Sequence, residues 1–470
     1  MSLPQPIGRQ REVLYYPDQG HTVVLGTAGS GKTTLAILRA RYLSTDALNR
    51  GRTMLVTFNR MLATYLRTVD REAVRGVEVR NYHDFARGFL GARARLPPSG
   101  GIARPDLRLR LIGQALEITR TRYPNARIFQ HSPEAHAEEL AWIQRMGIAS
   151  AGAYAGAERI HRGGFRVAGR DRGYIWEIYE EYLRLRERWG VLYDWEDIAA
   201  AVLEAFSRDN TPRRYRHIVI DEGQDFSPVM LRSLAAAVPR EGSVTFFGDM
   251  AQQIYGSRIS WRDAGLHVPR GVVEFRENYR NTKQIADFAL ALASGPYFTG
   301  VPDMVAPSAP RAAGIPPTLV RCSNQAAEIR FVVSQAAALG RTRSVGILLR
   351  DRSREKVYLE RLAGQGVKVQ RLHRNTLSWH NAPGVWVGTY YSGKGLEFDA
   401  VLLPHVEAST IPDPERVVAL GDERLAFAEE ARLLYVAITR ARASLVLTYH
   451  GELTPLLREI DPALYRHEVV

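Results

Sequence analysis

The chain of 470 residues contains a single cysteine, Cys322. A lone cysteine excludes an internal disulfide framework and any metal cluster held by several cysteines. Long apolar runs are missing as well: none approaches the ~20 residues of a membrane-spanning helix, and the N-terminus lacks the pattern of a secretory signal. These absences predict a cytoplasmic protein without membrane association.

Lysine is also scarce, because only five of the 63 basic residues are lysines and arginine supplies the rest. The basic residues outnumber the acidic ones and give a formal net charge of +13. An excess of this size favours a polyanionic partner, of which nucleic acid is the most common. An arginine-rich composition can also reflect GC-rich coding, so the charge gains meaning only beside the motifs.

The length exceeds the ~250–300 residues of a single hydrophobic core, so we expect more than one domain. Two series of short apolar runs, rich in β-branched or aromatic residues, alternate with helix-like segments, which is typical of parallel strands in α/β sheets. We expect strands at residues 23–25, 53–58, 217–220 and 243–247, and then at 318–321, 344–349, 385–388, 400–404 and 444–449. Residues 88–208 show apolar residues at helical spacing and no convincing strand, which predicts a helical insertion in the first α/β domain.

A glycine-rich segment follows the first expected strand and precedes a helix-like run. It reads G-x-x-x-x-G-K-T from Gly26 to Thr33. Its glycines allow successive backbone N–H groups to turn toward the phosphates of a nucleotide. Lys32 would reach the outer phosphates, Thr33 would bind Mg²⁺, and the N-terminus of the next helix would face the negative charge. The segment predicts binding of a nucleoside triphosphate with Mg²⁺.

Polar residues follow other expected strands. Asp221 could hold Mg²⁺ through water and Glu222 could polarise the attacking water as a general base. Such a pair of carboxylates can also be a solvated turn, but its place after a strand, in a chain with a phosphate loop, favours the catalytic interpretation. Gln252 could sense the γ-phosphate. Arg280 and Arg440, in the second half, could act as arginine fingers on the transferring phosphoryl group.

The order and the amino-acid sequences of these segments resemble the motifs of UvrD/Rep-like superfamily 1A DNA helicases, over most of the chain outside residues 88–208. Residues 221–225 read D-E-G-Q-D and are similar to the family's D-E-A-Q-D, and residues 278–280 read N-Y-R. Further matches are T-F-N at 57–59, N-Y-H-D-F at 81–85, G-D-M-A-Q-Q-I-Y at 248–255, G-T-Y-Y-S-G-K-G-L-E-F at 388–398 and Y-V-A-I-T-R-A-R at 435–442. Several of these are common alone, but the complete and ordered set is very specific.

The resemblance implies two RecA-like P-loop domains in tandem, with ATP and Mg²⁺ at their interface and single-stranded DNA across both. The implied catalytic residues are Glu222, Lys32, Gln252, Arg280 and Arg440, and the implied Mg²⁺ ligands are Thr33 and Asp221. The implied nucleotide-binding residues are Gln10, Gly26, Thr27, Ala28, Gly29, Ser30, Gly31, Lys32, Thr33, Thr34, Tyr279 and Glu397. The implied DNA contacts are Phe58, Asn59, Tyr82, His83, Tyr255, Trp261, Thr389 and Tyr391.

The chain also departs from the family pattern. Trp261 stands several residues beyond the position of the family's base-stacking tryptophan, so a core or interface role is an equal alternative. Tyr391 replaces a histidine, and Thr34 replaces an arginine that many members place beside the nucleotide base. Only residues 373–383 bridge the point where family members insert domain 2B.

We therefore expect a compact motor without domain 2B. Domain 1A would comprise residues 1–87 and 209–272, the helical accessory domain 1B residues 88–208, and domain 2A residues 273–470. The implied activity is that of an ATP hydrolase and DNA helicase, which moves 3′→5′ on single-stranded DNA and unwinds 3′-tailed duplexes.

A second interpretation remains open. Compact members resemble the helicase component of Gabija-type anti-phage systems, so the chain could instead be a nucleotide- and DNA-sensing ATPase subunit of a nuclease-containing defence or repair complex. A P-loop kinase or GTPase would leave the second α/β half and its arginines unexplained.

Overall fold

The computed structural model describes residues 5–27, 29–45, 51–58, 63, 74–157, 167–249, 261–269, 271–278, 280–298, 312–372, 382–420 and 422–470. Two parallel sheets organise these residues, one in each half of the chain. The predicted fold class, with tandem RecA-like domains, is confirmed. None of the helices in these ranges is long and apolar enough to span a bilayer.

The first sheet has six strands, all parallel to their neighbours. They are β1 Gly20–Gly26, β2 Thr53–Thr57, β3 Val77–Asn81, β4 His217–Asp221, β5 Ser243–Gly248 and β6 Val272–Phe275, in the spatial order β3–β2–β4–β5–β1–β6. Every residue of β2, β4 and β5 is buried, because helices cover both faces of a parallel sheet. The expected domain boundary at residue 273 falls inside β6, whose pairing with β1 places it in the first sheet.

Nine labelled helices accompany this sheet in the described residues. They are α1 Arg9–Leu14, α2 Lys32–Thr45, α3 Tyr82–Gly91, α4 Pro105–Arg122, α5 Pro133–Met146, α6 Ala151–Gly156, α7 Arg172–Arg188, α8 Ile198–Ser207 and α9 Pro228–Ala236. Local sequence sets their ends. Ser132 caps α5 and Pro133 opens it, while Gly147, with a φ of 70°, ends it in the left-handed conformation.

Helices α4 to α7 share a hydrophobic core that is separate from the cores on the first sheet. Its buried residues include Leu111, Leu140 and Tyr182. Helix α8, in contrast, buries Ile198 and Val202 in the core of the first sheet, with α3 and α9. The residues expected to form an inserted domain therefore divide between a helical core of their own and the core of the first sheet.

The second sheet has seven parallel strands. They are β7 Thr318–Cys322, β8 Ser344–Leu349, β9 Val369–Arg371, β10 Gly384–Thr389, β11 Phe398–Leu403, β12 Ala441–His450 and β13 Arg466–Val469, in the spatial order β13–β7–β12–β11–β8–β10–β9. The accompanying helices are α10 Lys283–Ala293, α11 Gln325–Gly340, α12 Glu355–Ala363, α13 Pro414–Leu420, α14 Glu423–Ile438 and α15 Pro455–Arg458. The expected insertion point of domain 2B lies between β9 and β10, and its residues 373–381 lie outside the described residues.

Candidate active site

The glycine-rich loop connects β1, which ends at Gly26, to α2, which begins at Lys32. Lys32 is buried, and its Nζ donates hydrogen bonds to the backbone carbonyls of Gly26, at 2.8 Å, and Thr27, at 2.6 Å. Burial lowers the pKa of Lys32, whereas the charges of Asp249 and Glu222 raise it. The lysine therefore lies where the loop meets the acidic ends of other strands.

Two glycines of the loop allow close approach by other segments. Gly29 has a φ of 78°, and a Cβ at this position would lie 2.1 Å from Asn278 Oδ1, so the loop packs against the N-Y-R segment. Gly31 has a φ of 82°, and its Cβ would lie 3.0 Å from Nε2 of Gln10. Gln10 itself donates to the carbonyl of Ser30 at 2.9 Å. Gln10, one of the expected nucleotide-binding residues, is thus held on the phosphate loop.

The paired carboxylates lie at the end of β4. The Thr33 hydroxyl donates a hydrogen bond to Asp221, which brings the two expected Mg²⁺ ligands together. Asp221 Oδ2 is buried and has no hydrogen-bond partner among the described residues. Burial, together with the charge of Glu222, raises the pKa of Asp221 to about 7. A bound divalent cation would provide this oxygen with a positively charged partner, so the residues present fit Mg²⁺.

Glu222 follows Asp221 in the left-handed conformation, with a φ of 54°. Burial opposes its ionisation, but the charges of Lys394, Arg440 and Lys32 outweigh burial and lower the pKa of Glu222. Gln224 donates through Nε2 to the Glu222 carboxylate. The carboxylate is therefore ionised and oriented, as a general base requires.

Three charged residues that the sequence analysis did not assign to the site also lie in it. The backbone N–H of Asp249 donates to Gln224 Oε1 at 2.8 Å, and Asp249 Oδ2 lies 3.9 Å from Lys32 Nζ. Asp225 forms a buried ion pair with Lys394, which lies between β10 and β11 of the second sheet. All three belong to quoted motifs, which was the signal that could have identified them.

The second half contributes both expected arginines. Arg280 Nη2 lies 2.6 Å from Glu397 Oε1. Arg440 is 1% exposed, and its Nε donates to the carbonyl of Val436 at 2.9 Å. Burial lowers the pKa of Arg440 to about 10, and the charge of Arg280 lowers it as well, while Glu222 raises it. The two arginines therefore lie close to each other, and Arg440 lies close to Glu222, the residue expected to act as general base.

Five of the predicted site residues lie outside the described residues: Ala28, Asn59, Gln252, Tyr255 and Tyr279. Of the others in the nucleotide set, Thr34 lies half-buried in the first turn of α2. The structure brings together the phosphate loop, Gln10, Asp221, Glu222, Arg280, Glu397 and Arg440.

The predicted DNA contacts that the structure describes differ in burial. Phe58 and His83 are half-buried with ring centroids 5.4 Å apart, and Trp195 packs edge-on against His83 at 5.0 Å. Tyr82 is fully buried, and its hydroxyl lies 2.7 Å from Ser233 Oγ. The expectation that Tyr82 contacts DNA is corrected: burial against the first sheet makes it a core residue.

The remaining three predicted DNA contacts differ in exposure. Trp261 is half-buried and packs edge-on against Phe246 with ring centroids 4.9 Å apart, which is the core contact that the sequence left as an alternative. Thr389 is buried, and its backbone N–H donates to Ser392 Oγ at 2.7 Å. Tyr391 is 39% exposed. Of these three, Tyr391 presents the most accessible side chain.

Comparison with known proteins places the chain among helicases. The family model described as the UvrD/REP helicase N-terminal domain matches residues 8–270, and the model described as the UvrD-like helicase C-terminal domain matches residues 371–452. The chain is 25% identical over 556 positions to the ATP-dependent DNA helicase UvrD2 of Mycobacterium tuberculosis, covering 94% of this chain and 78% of that protein.

Two further relatives match shorter segments. DNA helicase II of Haemophilus influenzae is 25% identical over 313 residues, which cover 60% of this chain and 39% of that protein. The exonuclease/helicase subunit RexA of Lactococcus lactis is 26% identical over 147 residues, covering 28% of this chain and 12% of that protein. With a family model that matches more than half of its length, the chain belongs to the UvrD/REP helicase family.

Proposed function

We propose that the chain is an ATP-hydrolysing DNA helicase that moves 3′→5′ on single-stranded DNA and separates the strands of 3′-tailed duplexes. The observation that carries this proposal is the convergence of side chains from both sheets on one buried site. Lys32 and Glu222 come from the first half, and Arg280 and Arg440 come from the second. The names of the relatives, ATP-dependent DNA helicase and DNA helicase II, support the same activity.

The phosphate loop binds and orients the nucleotide. Lys32 and the backbone N–H groups at the start of α2 present positive charge to the phosphates. Gln10, which donates to the Ser30 carbonyl, would contact the base of the nucleotide. Thr33 and Asp221 would hold Mg²⁺, which neutralises charge on the phosphates when it is bound.

Glu222 accepts the proton of the attacking water on its carboxylate. Its lowered pKa keeps it ionised, and its hydrogen bond from Gln224 fixes its orientation. Arg280 and Arg440 stabilise the negative charge that develops on the transferred phosphoryl group. Because Arg440 is buried with part of its donors on backbone carbonyls, its position is set before it meets the phosphate.

Hydrolysis is coupled to domain movement because the site is shared. The phosphate loop belongs to the first sheet and both arginines belong to the second half. Negative charge between them therefore favours the approach of the two domains, and loss of that charge favours separation. Lys394 and Asp225 provide a second electrostatic link between the same two domains.

Single-stranded DNA binds across both domains in this proposal. The partly exposed rings of Phe58, His83 and Trp195 offer a platform on which bases stack.

Helices α4 to α7 form accessory domain 1B in this proposal, which their separate core supports. The short connection between β9 and β10 supports a motor without domain 2B. The match to UvrD2 extends over 556 positions against 470 residues here, so that relative carries segments that this chain lacks.

The deciding experiment measures ATP turnover with and without single-stranded DNA, and strand separation on duplexes with a 3′ or a 5′ tail. We expect stimulation by DNA and unwinding of the 3′-tailed duplex alone. An ATPase indifferent to DNA at low salt would refute the proposal, and preference for the 5′ tail would refute the direction.

The alternative is an ATPase component of a nuclease-containing complex. One observation favours it: a relative carries the name exonuclease/helicase subunit RexA, although the match covers 28% of this chain. Co-purification from the native cells separates the two functions, since a stable nuclease partner supports the alternative and unwinding by the isolated chain supports the first proposal.

A further inference from the structure

A cluster of two histidines and two glutamates lies at the edge of the second sheet away from the active site. It consists of Glu328, His405, Glu407 and His450, whose ligand atoms all lie within 4.8 Å of one another. Arg440 immediately precedes β12 and His450 ends it. Ten residues of strand place the cluster about 30 Å from that arginine.

The topology explains why these residues meet. His405 and Glu407 follow the end of β11, and His450 ends the neighbouring parallel strand β12. Glu328 lies in the first turn of α11, which follows β7, the other neighbour of β12. The carboxyl ends of three adjacent parallel strands therefore deliver all four side chains to one place.

The cluster places two buried carboxylates together without a lysine or arginine partner among the described residues. Glu328, His405 and Glu407 are buried, and His450 is partly buried. Among the described residues, neither glutamate forms an ion pair with lysine or arginine, and both pair with the histidines alone. Two buried carboxylates without such partners are costly unless a cation joins them.

Hydrogen bonds from neighbouring residues occupy one oxygen of each carboxylate, and the second oxygen faces the other members of the cluster. Glu328 Oε1 accepts from the Thr448 hydroxyl at 2.6 Å and from the His405 backbone N–H at 2.8 Å. Glu407 Oε1 accepts from the Thr410 hydroxyl at 3.0 Å. Glu407 Oε2 is buried and has no hydrogen-bond partner in the described part of the chain.

The distances suit a small tetrahedral ion. His450 Nδ1 lies 2.7 Å and His405 Nδ1 3.0 Å from Glu328 Oε2, and each Nδ1 lies 3.8 Å from a Glu407 oxygen. Zinc bound at about 2.0–2.1 Å would set its ligand atoms about 3.3 Å apart, within this span. The Tyr358 hydroxyl lies 2.9 Å from His405 Nε2 and orients the ring, as outer partners of metal-bound histidines do.

We propose that Glu328, His405, Glu407 and His450 bind one Zn²⁺ ion, which links α11 to the ends of β11 and β12. Four protein ligands leave no open position, so the ion stabilises the second domain and takes no part in hydrolysis.

The test uses the full chain, expressed without a polyhistidine tag and stripped of metal with a chelator. Titration with Zn²⁺ against a chromophoric chelator should give one tight site per chain, and Co²⁺ should give the intense visible absorption of a tetrahedral complex. Zn²⁺ should also raise the Tm of the stripped chain. Absence of a stoichiometric site would overturn the proposal and leave a histidine–glutamate ion-pair network.

Matched variants locate the site. Glu407→Gln and His450→Gln should each weaken Zn²⁺ affinity by about 100-fold or more, since the loss of a ligand exceeds the loss of an outer partner. Glu468→Gln and His467→Gln, on the exposed strand β13, should leave affinity unchanged. Asp221→Asn should also retain Zn²⁺; loss of zinc in that variant, or retention in both ligand variants, would place the ion elsewhere. If a ligand variant does not fold, the stoichiometry and the Co²⁺ spectrum of the unaltered chain still decide.

Discussion

Lys394 and Asp225 form an ion pair that joins the two halves of the molecule, with side chains 4% and 2% exposed. Asp225 follows β4 of the first sheet, and Lys394 lies between β10 and β11 of the second. Asp225 lies three residues after Glu222, the proposed general base, and Lys394 lies three residues before Glu397, the partner of Arg280. The pair therefore fixes the two faces of the site against each other.

Removing the lysine should weaken this link. Lys394→Met leaves Asp225 buried without its countercharge, and we expect a loss of about 3 kcal/mol in the free energy of unfolding. The loss should shrink near pH 6, because the remaining carboxyl can take up a proton. Lys283→Met is the matched control, since Lys283 pairs with Asp287 at 2.6 Å on the surface; its loss should stay below about 1 kcal/mol. Chemical denaturation measures both, and equal losses would contradict the prediction.

DNA stimulation of ATP turnover should depend on the protonation of Asp225. Burial raises the pKa of this carboxyl to about 6; Lys394 and Arg440 lower it and Glu222 raises it. As the pH falls through about 6 the folded protein gains a proton here, and the ion pair loses one charge. The ratio of turnover with DNA to turnover without it should therefore fall between about pH 7.5 and about pH 5.5.

The Asp225→Asn variant provides the control for this pH dependence. Its side chain is uncharged at every pH, so the ratio should be low and flat across the same range. A variant that retains the pH dependence of the unaltered chain would assign that dependence to another group.

Much of the fold could be predicted because its central strands are buried on both faces. Residues 344–349 coincide with β8, and residues 217–220 cover nearly all of β4. The short and charged edge strands β3, V-E-V-R-N, and β13, R-H-E-V, were not predicted. Edge strands face solvent along one side, so they lack the continuous apolar pattern that identifies a central strand.

For the functional site too, the sequence predicted the residues that lie in short motifs but not the contacts between distant segments. Motifs identified the phosphate loop and the arginines, because their chemistry lies in short segments. Asp225 and Lys394 are 169 residues apart, and only folding brings them into contact. Tyr82 was assigned to DNA because it lies in a motif, but the pattern could not show that its ring faces the core. The histidine–glutamate cluster depends on four residues from three elements and has no local signature.

Two substitutions should distinguish a loss of ATP hydrolysis from a loss of nucleotide binding. Glu222→Gln removes the base but keeps the shape of the side chain, so turnover should fall by about 10²–10⁴-fold while ATP still binds. Lys32→Ala should abolish nucleotide binding. Stopped-flow binding of a fluorescent ATP analogue and steady-state turnover measure the two effects. Normal turnover in either variant would contradict the site assignment.

Arg280 should act on the transition state. Arg280→Ala should lower kcat by about 10³-fold with little change in KM, because its charge is required as the phosphoryl group transfers. Arg276→Ala is the matched control, since Arg276 is 66% exposed and pairs with Glu274 at 2.8 Å. The control should keep full turnover; an equal fall in both variants would indicate damage to the segment.

The aromatic platform of Phe58, His83 and Trp195 should contribute to DNA affinity. Trp195 was not predicted from sequence, yet its half-buried ring lies 5.0 Å from that of His83. Trp195→Ala should weaken binding of single-stranded DNA by about 1–3 kcal/mol, the usual worth of a base–aromatic stack. Trp189→Ala, at a tryptophan that is 52% exposed and packed beside Arg110, controls for the loss of a surface indole. Fluorescence anisotropy with a labelled oligonucleotide measures both affinities at fixed salt.

The salt dependence of binding tests whether Trp195 acts by stacking. Because stacking is insensitive to salt while phosphate contacts are not, the loss of affinity caused by Trp195→Ala should persist as the salt concentration is raised. A loss that disappears with salt would assign the residue to an electrostatic contact instead.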